Sequence, residues 1–437
     1  MLANQLRALF LGLAFLGAAA GPLRAEPASP PTLDSVRALA AREKAPLVGT
    51  LKELVEIESG SADREGLERI AALIAQRLRA LGGEVELVEP PEAEVYKMFD
   101  TPERTGPVVK ASFAGRGDKK ILLLAHMDTV YPRGSLAQQP FRIEGDKAYG
   151  LGIADDKQGV AMILHTLALL QAMGVQQDWG RLTVLINGDE EISSPASRQL
   201  ITRLGREHGV VLSFEGGGAP AGPDTLRLAT SGIAAANLLV KGRASHAGAA
   251  PERGVNALYE LSHQLLQARD LSDPAVGRQV HWTLARAGIV RNMIPPAAEA
   301  SADIRVDRVA DFDGVEAMLR ERIRSKLLPE SELSLNFERR RPPLQASAAA
   351  RTLGEHAQRL AAEQSLALVV RDKPTGGGTD AAFAALETRA PVLEGFGLRG
   401  FGAHSSNAEF VQIDAIEPKL VFVARLIADI AAGRARW

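Results

Sequence analysis

Short apolar runs at residues 121–125, 182–186 and 210–214, with a further strand around Val392, leave this chain few folds to choose from. The three runs lack the polar alternation of a half-exposed strand, so they suit a parallel sheet buried on both faces. Each is followed by a residue of metal-ligand type: His126, Glu191 and Glu215, with His404 in a Gly-rich loop beyond the last strand. Strands alternating with helices define an α/β sheet. In open α/β sheets the loops after the carboxyl ends of the strands converge on one crevice, so ligands scattered along most of the chain are expected to meet there.

The segments between these runs supply the helices. Apolar stripes predict helix over 35–81, stopped by Gly82 and Gly83. Residues 159–170 are almost wholly apolar and too long for a strand, which predicts a buried helix starting near Asp156. The texture changes after the Gly, Ala and Pro-rich stretch 216–223. From there the order is strand (231–241), helix (254–268), two strands (282–290 and 298–306), helix (311–325) and strand (333–339), the split βαβ layout. After Pro342 and Pro343 the catalytic pattern resumes and ends in a helix over 417–431. The expected organisation is a catalytic domain in two pieces, residues 33–228 and 342–437, interrupted by a compact domain at 229–341.

Composition narrows the partners and the chemistry. A formal net charge of -2 supplies no long-range field suited to nucleic acid or an anionic membrane. The first residues read as a signal peptide over 1–25: Arg7, an apolar run too short to span a bilayer, then small residues. The mature protein is thus expected to be periplasmic or secreted, with no membrane attachment. With no cysteine in the chain, any zinc must be held by imidazole and carboxylate, ligands typical of open catalytic sites.

Within the motifs, His126 and Asp128 sit two apart at a strand end. The carboxylate can there hold the imidazole through its second nitrogen, or the pair can equally be a strand-end His and a turn-capping Asp. Asp156 reads as a helix cap. Its neighbour Asp155 offers the two oxygens that a pair of metals needs as a bridge. Glu190 and Glu191 either form a solvated acidic turn or divide the work, Glu191 ligating metal while Glu190 shuttles a proton between the attacking water and the leaving amine. Three carboxylates, Asp155, Glu191 and Glu215, together with one hydroxide balance two divalent cations, and a neutral site can be buried. His165, inside an apolar helix, reads as a satisfied core residue. His246, in a loop of the inserted segment, is placed to donate to a substrate oxygen.

The segments AHMDTVYP, YGLGIADDKQG, DEE, LSFE, TSGIA, GRASHAGAAPERGVNA, NMIPPA, ADIRV, TGGGTDAA and GFGAHS together resemble the M20 metallopeptidases, most closely their carboxypeptidase G group. The resemblance spans essentially the whole chain after residue 25. It implies a zinc-exopeptidase-like α/β catalytic domain with an inserted ferredoxin-like α+β domain serving as lid and dimerisation surface. It further implies two zinc ions per subunit in a homodimer, His126 and Glu215 on one metal, Glu191 and His404 on the other, and Asp155 between them. Glu190 would be the general base and Asp128 the support of His126, while His246 would reach the neighbouring subunit's active site. Asn292, Arg305, Gly377 and Gly378 match substrate-binding positions. The implied reaction releases a C-terminal amino acid, glutamate first among them, from folate-like or N-acyl substrates; a deacylase or dipeptidase with another side-chain preference is the alternative. This chain departs from the family pattern at Gln158, Ser193 and Thr225, with Arg227 two residues beyond the last.

Overall fold

A computed structural model of the chain describes residues 31–405 and 408–437. Residues 1–25, read as a signal peptide, lie outside them. The larger of its sheets has eight strands, in the spatial order Glu84–Val88, Val108–Ala114, Arg181–Asn187, Lys120–His126, Val210–Ser213, Val392–Glu394, Asp224–Arg227 and Leu368–Arg371. The central strands, from Arg181–Asn187 to Val392–Glu394, are mutually parallel, so their carboxyl ends open on the same side.

Burial on both faces explains the continuous apolar runs. Along Lys120–His126, Ile121, Leu123 and Ala125 pack into one core with the helices Leu33–Val55, Arg64–Ala80, Gln158–Ala172 and Ile416–Ala431. Leu122 and Leu124, pointing the other way as the two-residue period of a strand requires, pack with Arg198–Glu207 and Ala381–Ala385.

The inserted segment forms its own antiparallel four-stranded sheet, in the order Gln279–Ala287, Ala297–Val306, Gly232–Lys241, Glu332–Arg341. With helices Ala257–Gln267 and Asp311–Arg322 covering one face, this is the strand–helix–strand–strand–helix–strand arrangement expected from the sequence. The uncovered face carries Ile233, Asn237, Ser301 and Arg305 towards the carboxyl ends of the larger sheet.

Several local expectations needed correction. The helical region 35–81 is two helices, and the loop between them lets Ser61 reach Asp128. Asp156 does not cap a helix. The helix Gln158–Ala172 follows a wide π-type turn, Ile153–Lys157, and has no side-chain cap. That turn swings Asp156 under the sheet, where its carboxylate accepts from the His126 amide (3.4 Å) and from Gln158 Nε2 (2.7 Å). A third small sheet of two- and three-residue strands, Gly400–Phe401, Phe410–Gln412, Lys147–Tyr149 and Arg142–Glu144, frames the loop bearing His404; such strands are too short to show a period.

Candidate metal centre

All four strands that were expected to lead to ligand-type residues do so on one side of the sheet. His126 closes its strand. Glu190 and Glu191 follow Arg181–Asn187, Glu215 follows Val210–Ser213, and His404 lies on the loop beyond Val392–Glu394. Asp155 enters from the turn ahead of the buried helix.

The side chains then gather into two clusters that share one residue. His126, Asp155 and Glu215 offer ligand atoms within 4.8 Å of one another, and so do Asp155, Glu191 and His404. His126 Nε2 lies 3.0 Å from Asp155 Oδ1 and 3.6 Å from Glu215 Oε1. His404 Nε2 lies 3.3 Å from Asp155 Oδ2 and 3.1 Å from Glu191 Oε2. The two oxygens of Asp155 therefore face different histidines, as a carboxylate between two cations would.

Asp128 is fully buried behind this group. Its backbone carbonyl lies 3.1 Å and its Oδ1 3.3 Å from His126 Nδ1, and its two carboxylate oxygens accept from the amides of Glu190 (3.0 Å) and Glu191 (3.1 Å) and from the Ser61 hydroxyl (2.7 Å). One carboxylate thus orients an imidazole and the turn that carries both glutamates.

Electrostatics point to a cation. Burial lifts the Glu215 carboxyl well above its ordinary range, with the charge of Asp156 adding to it, and lifts Glu191 as well. Burial pushes His126 down, but Asp128 and Asp155 outweigh it and hold the imidazole well above its usual pKa. His404 is driven up to about 10 by Asp155 and Glu191. Carboxylates crowded in a low-dielectric cleft call for positive charge. Glu191 Oε1 is buried with no hydrogen-bond partner. An orphaned oxygen on a carboxylate whose other oxygen faces His404 fits a divalent cation held by hard and borderline donors.

Two supporting residues were invisible in the sequence. Glu409, wholly buried, accepts from the Tyr131 hydroxyl (2.6 Å) and from the amides of Gly152 (2.9 Å) and Ala154 (2.8 Å), pinning the turn that presents Asp155. Arg341 is buried and ion-paired with Glu190. Nothing in their local sequence marks either one, because each acts on a partner far along the chain.

The cleft between the two sheets holds a cavity of about 670 Å³ lined by Asp155, Glu190, Glu191, Glu215, His404, Arg305, Gly377 and Gly378. Arg305 arrives pre-aligned: Asp303 takes two of its N–H groups (2.7 and 2.8 Å) and the Gly376 carbonyl a third (3.0 Å). A guanidinium has five N–H donors, so two remain. A second cavity of about 410 Å³ adjoins Asp155 and Glu215 and is walled by Arg227, Glu394 and a run of glycines. His246 and Asn292 line neither cavity; both lie on exposed loops of the inserted segment. His246 Nδ1 accepts from the amides of Gly248 (3.2 Å) and Ala249 (3.0 Å), which leaves Nε2 to carry the proton. His165 is a satisfied core residue, held by Thr50 (2.8 Å) and Glu43 (2.6 Å).

An open α/β sheet with a ferredoxin-like insertion and carboxylate–imidazole clusters at its strand ends defines a metal-binding hydrolase. Residues 122–429 match the family described as Peptidase family M20/M25/M40, and the chain belongs to it. It is 44% identical over 402 residues to carboxypeptidase G2 of Pseudomonas sp. (strain RS-16), covering 92% of this chain and 93% of that protein. It is 27% identical over 365 residues to a succinyl-diaminopimelate desuccinylase of Methylorubrum extorquens (strain PA1), covering 78% and 89% respectively. Among solved structures, an M20 family metallo-carboxypeptidase from Sulfolobus solfataricus superposes with a TM-score of 0.69 at 16% identity, covering 89% of this chain and 99% of that one. The family match and the 44% identical relative make the chain a metallo-exopeptidase.

Proposed function

We propose that this metallo-exopeptidase is a dizinc glutamate carboxypeptidase that hydrolyses the amide bond to a C-terminal amino acid in folate-like or N-acyl substrates. The observation that carries the proposal is Asp155, whose two oxygens serve two separate ligand clusters. His126 and Glu215 would hold one ion, Glu191 and His404 the other. When bound, the pair would supply the Lewis acidity that activates water and polarises the scissile carbonyl.

The remaining work falls to the chain's own side chains. Glu190, 4.0 Å from His126 Nε2, takes a proton from the attacking water and returns it to the leaving nitrogen. Burial pushes its carboxyl up to about 8 despite the opposing Arg341. Asp128 keeps His126 in the tautomer that offers Nε2. Arg305, with two donors free, pairs with the substrate carboxylate. The wall at Gly377 and Gly378 admits substrate backbone. The partner subunit's His246 donates its Nε2 proton to the carbonyl oxygen, with the partner subunit's Asn292 beside it; this places the inserted segment, residues 229–341, as lid and dimer surface between the catalytic pieces 33–228 and 342–437.

The proposal includes export through residues 1–25. Among the described residues no helix is long and apolar enough to cross a membrane.

A deacylase or dipeptidase with another side-chain preference is the second reading. The pairing of both guanidiniums near the site favours it: Arg305 already faces Asp303 (2.7 and 2.8 Å) and Arg227 the buried Glu394 (3.3 Å), so no unpaired cation awaits a glutamate side chain. Release assays across folates, N-acyl glutamates and other N-acyl amino acids, with and without a chelator, separate the two. Turnover that survives metal stripping would end both. For the base, Glu190→Gln is expected to lower kcat by about 10²-fold or more at unchanged zinc content.

A further inference from the structure

The residue that holds the base comes from the inserted sheet. Arg341 is the last residue of its final strand, immediately before Pro342 and Pro343, where the chain returns to the catalytic piece. Its guanidinium donates both to the Glu190 carboxylate and to the Glu190 backbone carbonyl. It also stands 3.8 Å from Asp380, which in turn accepts from Asn187 Nδ2 (2.7 Å) and the Ser194 hydroxyl. A two-pronged grip on side chain and main chain of one residue fixes both its rotamer and the turn beneath it.

Two observations set this apart from ordinary ion pairing. Arg341 is buried with its Nε unpaired, and a buried pair with an unsatisfied donor is a weak source of stability. The Gly-rich turn makes room for it. A Cβ at Gly378 would lie 2.9 Å from Arg341 Cδ and 2.6 Å from Ile233 Cδ1, whereas Gly376 and Gly377 face open space. Gly378 has ordinary backbone angles, so what its position requires is the missing side chain. The glycine admits the arginine stem.

We propose that Arg341 is a positioning residue for the reaction: it locks Glu190 in its working orientation, and Gly378 serves that lock. The inference rests on Glu190 as the base. It predicts that Arg341→Met lowers kcat on the order of 10²-fold, the cost of a misplaced catalytic group, with KM, bound zinc and fold little changed. Arg341→Lys, which keeps the charge but not the fork, should recover only part of this. Gly378→Ala, which displaces the stem, should also lower kcat.

The decisive measurement is the double-mutant cycle, with zinc content and melting temperature recorded for each variant. If Arg341 acts through Glu190, Arg341→Met/Glu190→Gln is no slower than Glu190→Gln alone. A kcat within about threefold of wild type in Arg341→Met, or a double mutant slower than Glu190→Gln by the full single-mutant factor, overturns the proposal while leaving the base assignment standing. A Glu190→Gln enzyme near wild-type activity fails the base assignment, and this inference with it. Should Arg341→Met not fold, Arg341→Lys decides by the same criterion.

Discussion

Single residues divide by how local their reasons are. His126, Asp155, Glu191, Glu215 and His404 could be picked out because each has ligand chemistry and follows a recognisable strand or turn. Arg341 and Glu409 could not, since their partners lie 151 and 255 residues away and an Arg before two prolines or a Glu before a short strand is unremarkable alone. The same holds for His208. Its Nδ1 donates to the Leu204 carbonyl (2.7 Å), and in the neutral ring Nε2 accepts from the Thr183 hydroxyl (2.8 Å). Burial then drives its pKa from 6.5 to about 4. Above pH 6.5 folded and unfolded chains are both neutral there and stability is unaffected. As pH falls through the window from 6.5 to 4 the unfolded chain takes the proton and the folded one does not, so stability is lost, on the order of 3 kcal/mol in total. Urea unfolding at pH 7 and pH 5 should show about 2 kcal/mol of this loss, and His208→Gln should reduce the difference between the two; an unchanged difference would remove His208 from the account.

At the scale of elements, long apolar runs were legible and short framing pieces were not. The buried strands and the helix Gln158–Ala172 announce themselves through burial on every side. The turn Ile153–Lys157 does not, because what shapes it is the Glu409 carboxylate, whose Oε2 accepts from Tyr131 and Gly152 and whose Oε1 accepts from Ala154 and Asp155. Glu409→Gln leaves one acceptor oxygen where two were used and turns an N–H towards a backbone amide. Metal affinity, read by chelator competition, is expected to fall about 10- to 100-fold, as for other supports of ligand geometry. Unaltered affinity would mean that the turn holds Asp155 without this carboxylate.

For the whole molecule, the placement of His246 and Asn292 outside both cavities of their own chain is the observation that the proposed dimer would account for. If the partner subunit's His246 completes each site, His246→Ala and Glu190→Gln homodimers are both nearly inactive, yet exchanging subunits between them restores about a quarter of wild-type activity, since half the dimers are mixed and each carries one intact site in a two-fold assembly. No recovery on mixing, with subunit exchange verified by mass, would place His246 elsewhere in the mechanism. Taken by itself, the sequence determined the sheet class, the split layout of the insertion and the candidate ligands, because burial imposes periodicity on strands and helices and because side chains able to bind metal are chemically distinctive wherever they occur. Only the tertiary structure decided which oxygens of Asp155 face which imidazole, that Asp156 turns inward rather than capping a helix, that Arg341 grips Glu190 through a gap left by Gly378, and that Arg227 is already paired. These are contacts between segments distant in the chain, and no local pattern records a distance that only folding creates.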